Sequence, residues 1–115
     1  MTNLSGKRVL VVEDEFFLAD DLAQALEKAG AEVVGPVPTL DEAMGMIESQ
    51  PIDLAVIDIN LQGEASFRVA DALSDRGISF VFATGYDGDS IPPRHADVPR
   101  WEKPFDTATL IASLS

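Results

Sequence analysis

Short runs of apolar, mostly β-branched or aromatic residues punctuate the chain at Val9–Val12, Val33–Val34, Leu54–Ile57 and Ile78–Ala83, with a weaker candidate at Val98–Trp101. Between most of them apolar positions recur with helical spacing, so the pattern predicts strands and helices in alternation. In the first helical stretch Leu18, Leu22, Ala25, Leu26 and Ala29 form a one-sided stripe, and Gly30 follows as its stop. The second opens on Thr39-Leu40-Asp41-Glu42, a capping-box pattern, and points Leu40, Ala43, Met44 and Ile47 inward. A third is expected from about Ala65 to Asp75 with Phe67, Ala70 and Leu73 inward, and a last one from about Asp106 with Leu110, Ile111 and Leu114.

The alternation fails between Gly85 and Pro99, where prolines, glycines and scattered polar residues replace the helix due at that point. A loop, or at most a short irregular turn of helix, is expected there. Runs that are apolar on both faces suit parallel strands buried between helix layers, and right-handed crossovers then predict a doubly wound α/β sheet of five strands. In such sheets chemistry gathers at the carboxyl ends of the strands.

Composition narrows the classes. A chain of 115 residues, 46% hydrophobic and 24% charged, fits one compact globular domain over residues 1–115. Cysteine is absent and histidine occurs once, which removes disulfides, thiolate catalysis and His-rich metal clusters. The net charge of -12 repels phosphate backbones and anionic lipids and favours cations and basic partner surfaces, so nucleic acid and membranes are not expected partners. Val9–Val12 is too short for a signal peptide or a membrane span, and a cytoplasmic setting is expected.

The strand ends carry unusual residues. Glu13, Asp14 and Glu15 follow the first strand, Asp58 and Asn60 the third, Thr84 the fourth, and Lys103 and Pro104 the fifth. A nucleotide or flavin site would need small residues after the first strand, so that backbone N–H groups could receive phosphate. An acidic block does the reverse, and a divalent cation relieves the repulsion among its carboxylates. Hard oxygen ligands favour Mg²⁺, with Asp14 and Asp58 as direct ligands, the Asn60 backbone carbonyl as a third, and Glu13 at one remove or through water. Asp58 is then both ligand and nucleophile for a phosphoryl group, Lys103 supplies positive charge, and the Thr84 hydroxyl can donate to a phosphoryl oxygen. Alone, Asp14 or Asp58 is as often a cap or turn former, while Thr84 is more often a turn residue and Lys103 more often a solvated surface group; their common edge and order give them weight.

V-L-V-V-E-D-E at Val9–Glu15, D-L-A-V-I-D-I-N-L at Asp53–Leu61, A-T-G at Ala83–Gly85 and K-P-F at Lys103–Phe105 together resemble the receiver domains of bacterial two-component response regulators. The resemblance covers nearly the whole chain. It, and not the periodicity, implies the flavodoxin-like strand order 2-1-3-4-5, the order of the chemotaxis receiver. It also implies a cis bond between Lys103 and Pro104, and phosphorylation on Asp58 by a histidine kinase or phosphotransfer protein with Mg²⁺ as cofactor. The fuller block F-A-T-G-Y at Phe82–Tyr86 resembles a mainly stand-alone subset. Departures from the commoner pattern agree: Gln62-Gly63 replaces a proline, and Arg100 stands where the rotating aromatic residue usually does. Thr84 and Tyr86 are the expected switch residues, with Tyr86 placed to shield the phosphoryl group from water.

Two rival functions differ in class. A phosphatase using an aspartyl-phosphate intermediate needs a second acid two residues after the nucleophile, and Asn60 cannot serve. A phosphorylation-independent pseudo-receiver, an interaction module, normally loses an acidic residue, the acceptor or the lysine, and all are kept here. The reading is therefore a phosphoacceptor that governs its own phosphorylation without turning over a substrate. With no output domain in these residues, it would act through altered contacts with another protein.

Overall fold

The structure, a computed structural model, describes residues 4–85 and 91–114. In chain order the elements are β1 (Arg8–Val12), α1 (Phe16–Lys28), β2 (Glu32–Val37), α2 (Leu40–Ser49), β3 (Leu54–Asp58), β4 (Asn60–Leu61), β5 (Glu64–Ala65), α3 (Phe67–Asp75), β6 (Ser79–Thr84), β7 (Arg100–Glu102) and α4 (Thr107–Leu114). The main sheet is parallel with the order β2-β1-β3-β6-β7, while β4 and β5 form a separate antiparallel hairpin. Counting the main sheet alone, this is the doubly wound 2-1-3-4-5 order of a flavodoxin-like fold.

The central strands are apolar on both faces because both faces are covered. Leu10, Val12, Ala55, Ile57, Phe80 and Phe82 meet Ala43 and Ile47 of α2 and Val69, Ala70 and Leu73 of α3. The alternate positions Val9, Val11, Val56 and Val81 meet Leu22 and Leu26 of α1 and Leu110 and Ile111 of α4 on the other side. Phe82 is fully buried, edge-on to Phe67 and Phe80 at 6.0 and 5.5 Å between ring centroids. Trp101 of β7 is half-buried on the α1–α4 side, 6.4 Å from the Phe105 ring.

Helix α1 ends before Gly30, whose φ is 92°, and Thr39 caps α2 by accepting the Glu42 backbone N–H at 3.2 Å. Leu40, Met44 and Phe67 are partly buried against the core, while Val69, absent from the predicted α3 stripe, is fully buried. Helix α3 begins at Phe67 rather than Ala65, because Ala65 is taken into β5 and Ser66 stands at the helix start. The fifth strand lies at Arg100–Glu102, shifted from Val98–Trp101. Where alternation would place a helix, the described residues 91–99 hold only one 3₁₀ turn, Pro93–His95. His95, 3% exposed, is ringed by Phe67, Phe80 and Phe82 and lies 2.7 Å from Asp71 Oδ1, and Arg94 clamps the same carboxylate with two bonds.

Strand β2 is irregular where it matters to the edge. Its pairing with β1 shifts between Leu10 and Val12, opposite the cis Gly35–Pro36 bond. Gly35 has φ 94°, and a Cβ there would lie 2.8 Å from the Val37 nitrogen and 3.1 Å from the Val11 carbonyl oxygen, so only glycine fits. Beyond the irregularity the Val37 carbonyl accepts the Glu13 N–H at 3.0 Å, tying the acidic block to β2.

Candidate functional site

Asp58 ends β3 and Glu13 follows β1, so two adjacent parallel strands deliver carboxylates to one edge. Both are buried, with Glu13 3% and Asp58 5% exposed. Asp14 is half-buried beside them, and one oxygen from each of Glu13, Asp14 and Asp58 lies within 4.8 Å of the others. Lys103 enters from the loop after β7, where its backbone N–H donates to the Thr84 carbonyl at 2.7 Å and its bond to Pro104 is cis. Its Nζ donates to Glu13 Oε2 at 3.1 Å, Asp58 Oδ2 at 3.1 Å and Glu15 Oε1 at 3.2 Å.

Of the residues expected from sequence, Glu13, Asp14, Asp58 and Lys103 are brought together. Thr84 is buried at the same end of the sheet, where its neighbour Ala83 is registered with Asp58. Asn60 follows within β4 and donates its backbone N–H to Asp58 Oδ1 at 3.0 Å. Tyr86 lies outside the described residues. Glu13 is held at this edge by its N–H bond to the Val37 carbonyl and by the Lys103 ammonium. Glu15, named in the acidic block but given no role from sequence, completes the set of acceptors around Lys103.

Four ionisable groups share little water. Burial pushes the Glu13 carboxyl up to about 7, against the Lys103 hydrogen bond, and the neighbouring Asp58 adds to the rise. Burial also raises Asp58, although its bonds to Glu13, the Asn60 N–H and Lys103 pull the other way. For Lys103 burial alone would favour the neutral amine, yet the contacts with Glu13 and Asp58 outweigh it and hold the ammonium form. Glu13, Asp14 and Asp58 thus face one ammonium, and the balance is negative.

The donor set fits a hard divalent cation. Glu13 Oε1 is buried without a hydrogen-bond partner; it lies 2.9 Å from Lys103 Nζ, but the lysine donates to Oε2 instead. Three carboxylates gathered around one ammonium still leave a surplus of negative charge that a further cation would relieve. Clustered carboxylates without His or Cys suit Mg²⁺ better than softer metals.

The β4–β5 hairpin was not foreseen from sequence. Its turn residues Gln62 and Gly63 have φ of 51° and 87°, and the Gln62 N–H donates to Asp14 Oδ2 at 2.9 Å. At its base Ser66, fully buried, donates its Oγ to the Asp58 carbonyl at 2.6 Å and its N–H to the Ile59 carbonyl at 2.7 Å. The signal was the Gln-Gly pair between short segments, weaker than the Asn-Gly that marks such turns. Among the described residues, no helix is long and apolar enough to cross a membrane.

Residues 9–115 match the response regulator receiver domain family. The chain is 32% identical over 103 residues to the sensory transduction protein LytT of Bacillus subtilis, spanning 86% of this chain and 43% of that protein. It thus spans about half the length of the curated relatives it matches. Among solved structures it is similar to SdrG from Sphingomonas melonis Fr1, with 41% identity, 95% of this chain and 97% of that one covered, and a TM-score of 0.80. It is also similar to the response regulator PhyR from Brucella abortus, with 28% identity, 98% and 48% covered, and a TM-score of 0.81. The acidic edge is of the kind at which receivers of two-component signalling systems generally bind Mg²⁺, and the chain belongs to the response regulator receiver domain family.

Proposed function

We propose that this chain accepts a phosphoryl group on Asp58 from a histidine kinase or histidine phosphotransfer protein, with Mg²⁺ bound, and signals by changed protein contacts. The observation that carries this reading is the meeting of the Asp58 carboxylate with the Lys103 ammonium at 3.1 Å, inside a group of three carboxylates whose ligand atoms lie within 4.8 Å.

Attack by an Asp58 oxygen on phosphorus breaks the P–N bond of the phosphohistidine and forms an acyl phosphate, while the departing imidazole retains the electron pair and takes up a proton. Two anions must approach one another, so the work of the site is positioning and charge. Lys103 already bonds Asp58 and supplies one positive charge, which a phosphoryl oxygen can take over. Thr84 stands at the end of the neighbouring strand as a hydroxyl donor. Bound Mg²⁺ would supply the remaining positive charge, held by Asp14, Asp58 and the Asn60 backbone carbonyl, with Glu13 beside it. Asn60 suits that role: in the antiparallel hairpin the Ser66 N–H bonds Ile59, so the next residue turns its N–H and C=O away from β5. Its N–H reaches Asp58, and its carbonyl shares that side.

An added dianion drawing Lys103 from Glu13 and Glu15 would reorder the loops after β6 and β7, a population shift that a partner can read. SdrG is also known in a BeF3-activated conformation, and the same reagent is expected to act on this chain. The net charge of -12 favours a partner with a basic face. Incubation with Mg²⁺ and acetyl phosphate, followed by intact mass, is expected to show a single phosphoryl adduct that is lost in Asp58→Ala. No adduct, or one that survives that substitution, overturns the proposal.

A further inference from the structure

We propose that the turn of the β4–β5 hairpin, through the backbone N–H of Gln62, is the positioning element that aims the Asp14 carboxylate at the cation site. The proposal rests on the reading of Asp14 as a cation ligand. Asp14 lies on the loop after β1, where neither sheet nor helix fixes its side chain. The Gln62 N–H, 48 residues away in sequence, reaches Oδ2 at 2.9 Å. A hydrogen bond to one oxygen of a ligating carboxylate fixes its plane and so the direction of the other oxygen.

That N–H points at Asp14 only because the turn is left-handed at both central residues, with φ of 51° at Gln62 and 87° at Gly63. Two-residue turns of this hand match the twist of a hairpin, but they favour glycine and asparagine, and glutamine there is strained. Two bonds help to offset that strain. Asn60 Oδ1 accepts the Gly63 N–H at 3.0 Å, and buried Ser66 anchors the base of the hairpin to the Asp58 carbonyl at 2.6 Å. One short hairpin therefore touches Asp58 at its base and Asp14 at its tip, and sets the relation between carboxylates borne by different strands.

Gly63 gives a clean test, since a Cβ there meets nothing within 4 Å and a substitution acts only through its φ of 87°. The dissociation constant for Mg²⁺ is measured by titration calorimetry on wild type, Gly63→Val and Gly63→Asn, each shown to be folded by circular dichroism. Valine is expected to weaken binding roughly tenfold, about 1.4 kcal/mol, and asparagine, which tolerates the left-handed region, to restore it to near the wild-type value. Equal affinity in wild type and Gly63→Val, or an asparagine variant as weak as the valine one, overturns the inference while leaving the cation site intact. Failure of wild type to bind Mg²⁺ overturns the parent reading with it. A second measurement needs no change in the turn: the Gln62 amide proton resonance is expected to shift in Asp14→Ala, and an unmoved resonance overturns the hydrogen bond itself.

Discussion

Glu13 stands buried against Asp58, and in chelator the two carboxyls repel across a space bridged by Lys103. Glu13→Gln keeps the shape and removes one charge. At about pH 8, above the raised Glu13 value of about 7, the variant is expected to gain about 1–3 kcal/mol against urea in chelator. Its Mg²⁺ affinity is expected to fall at the same time, as when stability and function draw on one group. Paired urea titrations and calorimetry check both halves, and a variant less stable than wild type in chelator would contradict the repulsion. At this scale Asp14, Asp58 and Lys103 were legible because each stands at, or within two residues of, the carboxyl end of a strand. The burial of Glu13 against Lys103 was not, since its backbone is held by the Val37 carbonyl beyond an irregularity that only Gly35 permits.

Helices α1 and α2 were readable from their stripes and from Gly30 and Thr39, whereas the hairpin was hidden because a pair of two-residue strands leaves no periodicity. The prolines before β7 pointed to an irregular segment, but not to what the described residues 91–99 hold: His95 inserted among three phenylalanines and latched to α3 through Asp71. His95→Ala removes a ring from that cage and is expected to cost about 2–4 kcal/mol in urea unfolding. Asp71 carries a pH signature as well. The hydrogen bonds from Arg94 and, after it, His95 hold its carboxyl below the usual range. Such a group adds stability that is present above its unfolded value of about 3.9 and is lost as pH falls through the lower folded value. Acid titration of wild type and Asp71→Asn, followed by circular dichroism, is expected to show wild type more stable near neutrality and the difference vanishing at the acid end. A difference that grows on acidification would reverse the sign and remove the latch.

Across the whole molecule the sheet separates two apolar layers and gathers Glu13, Asp14 and Asp58 at one edge, so a cation held there would bind only the folded chain and stabilise it. With Mg²⁺ at about a hundred times its dissociation constant, unfolding free energy is expected to rise by about 2.7 kcal/mol. Thermal melts with and without chelator test this, and Asp14→Ala combined with Asp58→Ala should abolish the rise; a rise that persists would place the cation elsewhere. Trp101 gives the edge a further property. It is the one tryptophan of the chain, half-buried on the strand beside Thr84 and two residues before Lys103. Its indole is therefore a built-in fluorophore near the site: if Lys103 passes from carboxylate to phosphate as proposed, a change in the light it emits is expected to report the event without any attached dye.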